Sequence, residues 1–213
     1  MTARPRLVIA THSAHKLREL RELLRLPDGV LVSLDDLGVD GEPVEDGETF
    51  ETNAAIKARF GLRATGLPTL ADDSGIEVDA LDGAPGVRTR RFAGPDATDD
   101  DNNRKLLAAL DGLPPARRGA RYVCVLALAR PGDVGPRGGL GLTFTRGTLR
   151  GRIAPGPRGT GGFGYDPIFE PWPEAVGGRT LGEWSAAAKN EISHRSAAAR
   201  RMRRHLAAFG ASR

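Results

Sequence analysis

The residues of this chain best equipped for chemistry sit in the run Ala71-Asp72-Asp73-Ser74-Gly75-Ile76-Glu77-Val78-Asp79, entered through Leu67-Pro68-Thr69-Leu70. The apolar lead-in reads as a short strand that Asp-Asp-Ser-Gly stops. Two adjacent carboxylates and a hydroxyl then lie on a turn, where Gly75 lets the backbone approach a ligand closely. Paired carboxylates in such a place can hold Mg²⁺ through oxygen and orient or deprotonate a water, which suits the opening of a phosphoanhydride. A solvated acidic turn is the plain alternative, since Asp, Ser and Gly are common turn residues.

Three other stretches carry chemistry that fits an anionic, base-bearing ligand. Arg6 to Thr11 is a compact apolar strand, and Ser13 can cap the amphipathic helix that runs on through Lys16. A strand entering a helix N-terminus is a phosphate-binding geometry, with Thr11, Ser13 and Lys16 as donors, although an ordinary strand-helix unit has the same outline. From Gly41 to Glu48 the chain is acidic and loop-like, and one of Glu42, Glu45, Asp46 and Glu48 can join Asp73 in a metal site, although a solvated acidic loop accounts for any one of them more simply. Gly159, Gly161 and Gly164 match a dinucleotide-binding glycine spacing. They are followed by Tyr165-Asp166-Pro167, and a residue before proline is steered away from helix, so that reading is rejected. The loop better suits a base, with Phe163 for stacking and Asp166 for hydrogen bonds to the base edge. A core Phe beside a turn Asp fits equally. Lys189, Ser193, His194 and Arg195 add neighbouring donors that can converge on one acceptor.

The elements that must position these groups form one domain of 213 residues. A hydrophobic fraction of 39% with 5% aromatic residues describes a soluble globular chain. The start through Arg6 carries neither a signal peptide nor a membrane span, so the cytoplasm is the expected compartment and no membrane partner is expected. Cys124, the only cysteine, falls in an apolar strand and offers no disulfide or thiolate metal site. The net charge of +4 is compatible with an anionic partner. Against an Arg-rich background the four lysines, at 16, 57, 105 and 189, stand out as places for a compact point charge. A second strand is expected at Val30 to Ser33, a helix from Phe50 to about Gly66, and a helix from about Ala97 through Lys105. Two long strands are expected around 121–129 and 140–150, joined by a Pro/Gly-rich hairpin connection, then a final helix ending near Phe209. Its arginines, 200, 201, 203 and 204, read as a solvated face, and nucleic acid is not the expected partner.

Five blocks in one order resemble the inosine triphosphate pyrophosphatase family, the house-cleaning enzymes for non-standard purine triphosphates. They are Ala10 to Lys16, Glu48 to Ala58, Leu70 to Leu81, Gly159 to Phe169 and Ile192 to Arg195. The resemblance implies an α/β fold with an elongated mixed central β-sheet flanked by helices, two lobes with a nucleotide cleft between them, and a homodimer. It implies Mg²⁺-dependent hydrolysis of XTP, ITP and dITP to the monophosphate and pyrophosphate. Position by position, Asp73 takes the general-base and metal role, Glu45 is the second metal ligand, and Ser74 touches the substrate. Thr11, His12, Ser13, Ala14, His15 and Lys16 form the phosphate-binding turn. Phe163, Gly164, Tyr165, Asp166, Lys189, His194 and Arg195 hold the base. The chain departs from the family at Ser13, where Asn is usual, at Thr52 for Glu, at Arg88 for Tyr, and at Ala187-Ala188 for Glu-Glu. The competing readings are a Maf-like pyrophosphatase acting on modified pyrimidine nucleotides and a nucleotide-binding protein without catalysis.

Overall fold

A computed structural model of the chain describes residues 6–135 and 140–210, with the side chains of Ala14, His15 and Leu140 outside that description. Strand β1 (Leu7–Ile9) is buried along its whole length, as an unbroken apolar run requires. Helix α1 (Ala14–Leu24) begins at Ser13, whose side chain accepts from the Lys16 N–H. It turns Leu17, Leu20 and Leu24 toward the core. Strand β2 (Leu31–Ser33) lies parallel to β1, with Leu7 opposite Leu31. The acidic stretch 41–48 is neither helix nor strand, and α2 (Phe50–Thr65) follows with Thr49 as cap.

The largest correction concerns the acidic run. Asp72, Asp73, Ser74 and Gly75 do not form a turn; they lie inside β3 (Thr69–Val78), a ten-residue strand. Gly75 is not among the positive-φ glycines. Side chains alternate across a strand, so Asp72 and Asp73 face opposite ways and are not a paired carboxylate. Turn-forming composition is overridden here because each carboxylate finds a cation in the interior.

Helix α3 (Asp99–Ala109) starts with a reciprocal capping box between Thr98 and Asp101. Strands β4 (Gly119–Val134) and β5 (Leu140–Ile153) are longer than their apolar cores suggest. Part of their Pro/Gly-rich connection, residues 136–139, lies outside the described residues. The glycine loop leads into a three-residue 3-10 turn, Asp166–Ile168, and then β6 (Phe169–Pro171), a strand not expected from the sequence. The expected final helix is two helices, α4 (Ala186–Ile192) and α5 (His194–Arg203). Ser193 separates them in extended conformation, its N–H bonded to the Lys189 carbonyl.

The six strands form one mixed sheet in the order β2-β1-β3-β4-β5-β6, with β1 parallel to both β2 and β3 and β6 antiparallel to β5. The chain divides into two compact units. The first runs to Asp73, resumes over Cys124–Gly147 and again from Arg195; the second is Ser74–Val123 and Thr148–His194. The first has a core around Leu7, Leu20, Leu70, Leu126 and Met202. The second has its own around Ile76, Leu106, Tyr122, Ile168 and Phe169. Cys124 is fully buried in the first unit, where burial and the nearby Asp72 push its thiol up to about 12, so it stays an unreactive core residue. Among the described residues no helix is long and apolar enough to cross a membrane.

Candidate active site

The first unit gathers carboxylates and lysines around β3. Asp73 is 7% exposed. Its Oδ1 lies 2.8 Å from Lys57 Nζ, and the same ammonium reaches Glu45 Oε2 at 3.0 Å. Lys57 therefore bridges Asp73 and Glu45. Asp73 Oδ2 is buried and has no hydrogen-bond partner among the described residues. Burial pushes the Asp73 carboxyl above its ordinary value, against the pull of Lys57. Lys57 is itself raised: burial disfavours its charge, but Asp73, Asp72 and Glu45 outweigh that.

Asp72, on the other face of β3, is 1% exposed and meets Lys16 Nζ at 3.0 Å and Arg195 Nη2 at 3.4 Å. Burial alone would raise its pKa; Lys16, Arg195 and Lys57 together hold it well below the carboxylate range. The Arg195 guanidinium, 1% exposed, also donates to Glu19 from α1. Two carboxylates thus hold the Arg195 guanidinium in the first unit.

In the Thr11 to Lys16 turn, the Ser13 N–H donates to Thr11 Oγ1 at 3.2 Å, and the Lys16 N–H donates to Ser13 Oγ at 3.4 Å. Serine thus serves as the helix cap. His12 turns away to Asp35, with Nδ1 2.7 Å from its carboxylate and Nε2 3.3 Å from the Gly41 carbonyl. Both ring nitrogens face acceptors, which only the doubly protonated imidazole satisfies. Burial lowers its pKa, but the Asp35 and Gly41 bonds raise it overall. The side chains of Ala14 and His15 lie outside the described residues.

The second unit gathers the groups expected at a base. Lys189, buried in α4, places Nζ 2.7 Å from Asp166 Oδ2 and 4.3 Å from the centre of the Phe163 ring. Asp166 is 2% exposed and accepts from Tyr122 Oη at 3.2 Å on one oxygen. The other takes Lys189 and the Phe163 N–H, the latter at 3.0 Å. These bonds tie the carboxylate to Lys189 and to the Phe163 backbone, and so position both. Gly162 has φ +77, and a Cβ there would lie 2.1 Å from Asp166 Oδ2, so only glycine fits. Tyr165 is a core residue whose hydroxyl donates to the Thr89 carbonyl at 2.8 Å. His194 stacks on Tyr122, with ring centres 4.8 Å apart and planes at 9°. Burial and Asp166 keep the Tyr122 phenol protonated. Ser74 is half-buried in β3.

The pattern of the Ham1 family matches residues 7–205. This chain belongs to the Ham1 family. Among its relatives, the dITP/XTP pyrophosphatase of Geobacter sulfurreducens is 46% identical over 94% of this chain and 96% of its own. That of Symbiobacterium thermophilum is 48% identical over 96% of each. Of the solved structures, a HAM1 protein from Coxiella burnetii superposes with a TM-score of 0.82 at 38% identity, covering 95% of this chain and 98% of that one. A nucleoside-triphosphatase / dITP/XTP pyrophosphatase from Mycobacterium abscessus gives 0.72 at 41% identity, covering 96% and 98%. The α/β fold of this Ham1-family chain is therefore that of its solved relatives.

Around the predicted residues the structure adds Lys57, Asp72, Glu19 and Tyr122, none of which the sequence reading placed in the site. Lys57 had a signal, as one of four lysines in an Arg-rich chain. Asp72 was seen but given the wrong partner, and Tyr122 and Glu19 lie in segments with no motif of their own.

Proposed function

We propose that the chain hydrolyses non-standard purine nucleoside triphosphates, XTP, ITP and dITP, to the monophosphate and pyrophosphate. The observation that carries this reading is the buried Asp73 Oδ2, without a hydrogen-bond partner among the described residues and held beside Lys57 and Glu45, in a chain 46% identical to a dITP/XTP pyrophosphatase. Lys16 and the first turn of α1 take the triphosphate charge. Asp73 orients a water toward the α-phosphorus and accepts its proton. The new bond forms between water oxygen and phosphorus, and the bond to the oxygen bridging the α- and β-phosphorus breaks, so pyrophosphate leaves with its electron pair.

The residues fit a divalent metal. No group of three or more His, Cys, Asp or Glu able to hold an ion occurs among the described residues. Mg²⁺ uses only one or two carboxylates and completes its shell with water and phosphate, and Asp73 and Glu45 are that pair. When bound, it neutralises phosphate charge that lysines alone leave uncompensated. The base is read by Phe163 and by Lys189, aided by His194. A site built to donate to the keto oxygen of hypoxanthine or xanthine leaves donors unpaired against the amino group of adenine, at about 1–3 kcal/mol for each buried group. The same reading includes a homodimer in the cytoplasm.

Hydrolysis of ITP in water enriched in heavy oxygen tests the scissile bond. The label is expected in the monophosphate; label in pyrophosphate would mean attack at the β-phosphorus and would remove Asp73 from the proposed role.

A further inference from the structure

Gly164 follows Phe163 in the glycine loop, and helix α3 holds both polar atoms of this residue. Its N–H donates to Asp99 Oδ2 at 2.7 Å, and its carbonyl accepts from Asn103 Nδ2 at 3.0 Å. Asp99 and Asn103 stand one helical turn apart, so they share a face and grip one residue from two points. Gly164 has φ +63, one of the several conformations open to glycine, and the two bonds select it.

Neither side chain is explained by the helix itself. The end of α3 is capped by Thr98 and Asp101, which leaves the Asp99 carboxylate for the loop. Asn103 is buried, and its Oδ1 has no partner among the described residues. A leucine would fill that place without stranding an acceptor. The amide is kept at a cost, and the bond it makes is the one to Gly164.

We propose that Asp99 and Asn103 are positioning residues for base recognition. By fixing the Gly164 peptide from α3, they set the Phe163 ring at the place where Lys189 lies over it. The inference rests on the proposed reaction and goes beyond it by assigning base selectivity partly to a helix outside the glycine loop.

The test compares wild type with Asp99→Ala, Asn103→Leu and Asp99→Asn, following pyrophosphate release from ITP and ATP. Asp99→Ala and Asn103→Leu are each expected to raise the KM for ITP about tenfold, from loss of one hydrogen bond to the loop, with kcat changed less than about twofold. The preference for ITP over ATP should fall with it. Asp99→Asn keeps an accepting oxygen and should stay close to wild type. Proportional losses on both nucleotides without rescue by Asn would show a merely structural role, and an unchanged Asp99→Ala enzyme would also overturn the inference. Wild type that releases no pyrophosphate from ITP would overturn the parent reading and this inference with it, so the two failures are distinguishable.

Discussion

At the residue scale the account turns on Asp73. A carboxylate with one oxygen held by Lys57 and the other buried without a hydrogen-bond partner among the described residues is oriented at one atom and open at the other, which suits the proposed general base. Asp73→Asn keeps the shape and removes the base. It should lower kcat for ITP by about 10²–10⁴ while nucleotide binding, measured by calorimetry, persists; an active variant would contradict the assignment. His12 gives a prediction in pH. Its folded pKa is raised, so its contribution to stability is present below the ordinary imidazole value and is lost as pH rises through the folded value. Titration of the imidazole by NMR should give a pKa above that of a free histidine, and Asp35→Asn should bring it down. A value unmoved by Asp35→Asn would break the link between them. At this scale the sequence made Asp73, Glu45 and Lys16 visible by residue type. It hid that Lys57 joins Asp73 to Glu45, because that contact depends on how a helix approaches a strand.

At the scale of elements, α2 brings that lysine into place. Lys57 and Gly61 are one turn apart on the same helical face. A Cβ at Gly61 would lie 2.7 Å from Thr69 Cγ2 and 3.4 Å from Ala10 Cβ, so the missing side chain lets α2 sit close to β3. Gly61→Ala is expected to destabilise by about 1–3 kcal/mol in urea denaturation through overpacking, and to reduce activity by displacing Lys57. Unchanged stability would mean that the helix has room to shift. Arg195 of α5 joins Asp72 of β3 and Glu19 of α1. Arg195→Met takes this cation from Glu19 and leaves Asp72 with Lys16 in place of two charged partners, and should cost about 3–5 kcal/mol of stability; a near-neutral result would contradict the network. Capped helices and apolar strands were legible because caps and periodicity are local. The Asp72 to Gly75 run was misread as a turn because its local chemistry favours a turn, and only cations arriving from α1, α2 and α5 allow it to continue as strand. The break at Ser193 was hidden for a similar reason: Ala, Lys and Glu on one side and Arg and Ala on the other favour helix.

At the scale of the whole molecule, Lys16, Lys57, Glu45 and Asp73 lie in the first unit, and Phe163, Asp166, Lys189 and His194 in the second. A ligand that engages the folded chain must raise its melting temperature by mass action. A non-hydrolysable ITP analogue at a hundred times its Kd should add about 2.7 kcal/mol, and the matching ATP analogue at the same concentration should add less. Equal shifts would deny base selectivity. The most direct measurement is a panel of ITP, XTP, GTP, ATP and UTP with Mg²⁺, in which pyrophosphate and orthophosphate are detected separately. The predicted result is pyrophosphate from ITP and XTP with little from ATP or UTP. Orthophosphate alone, or turnover led by UTP, would contradict the account.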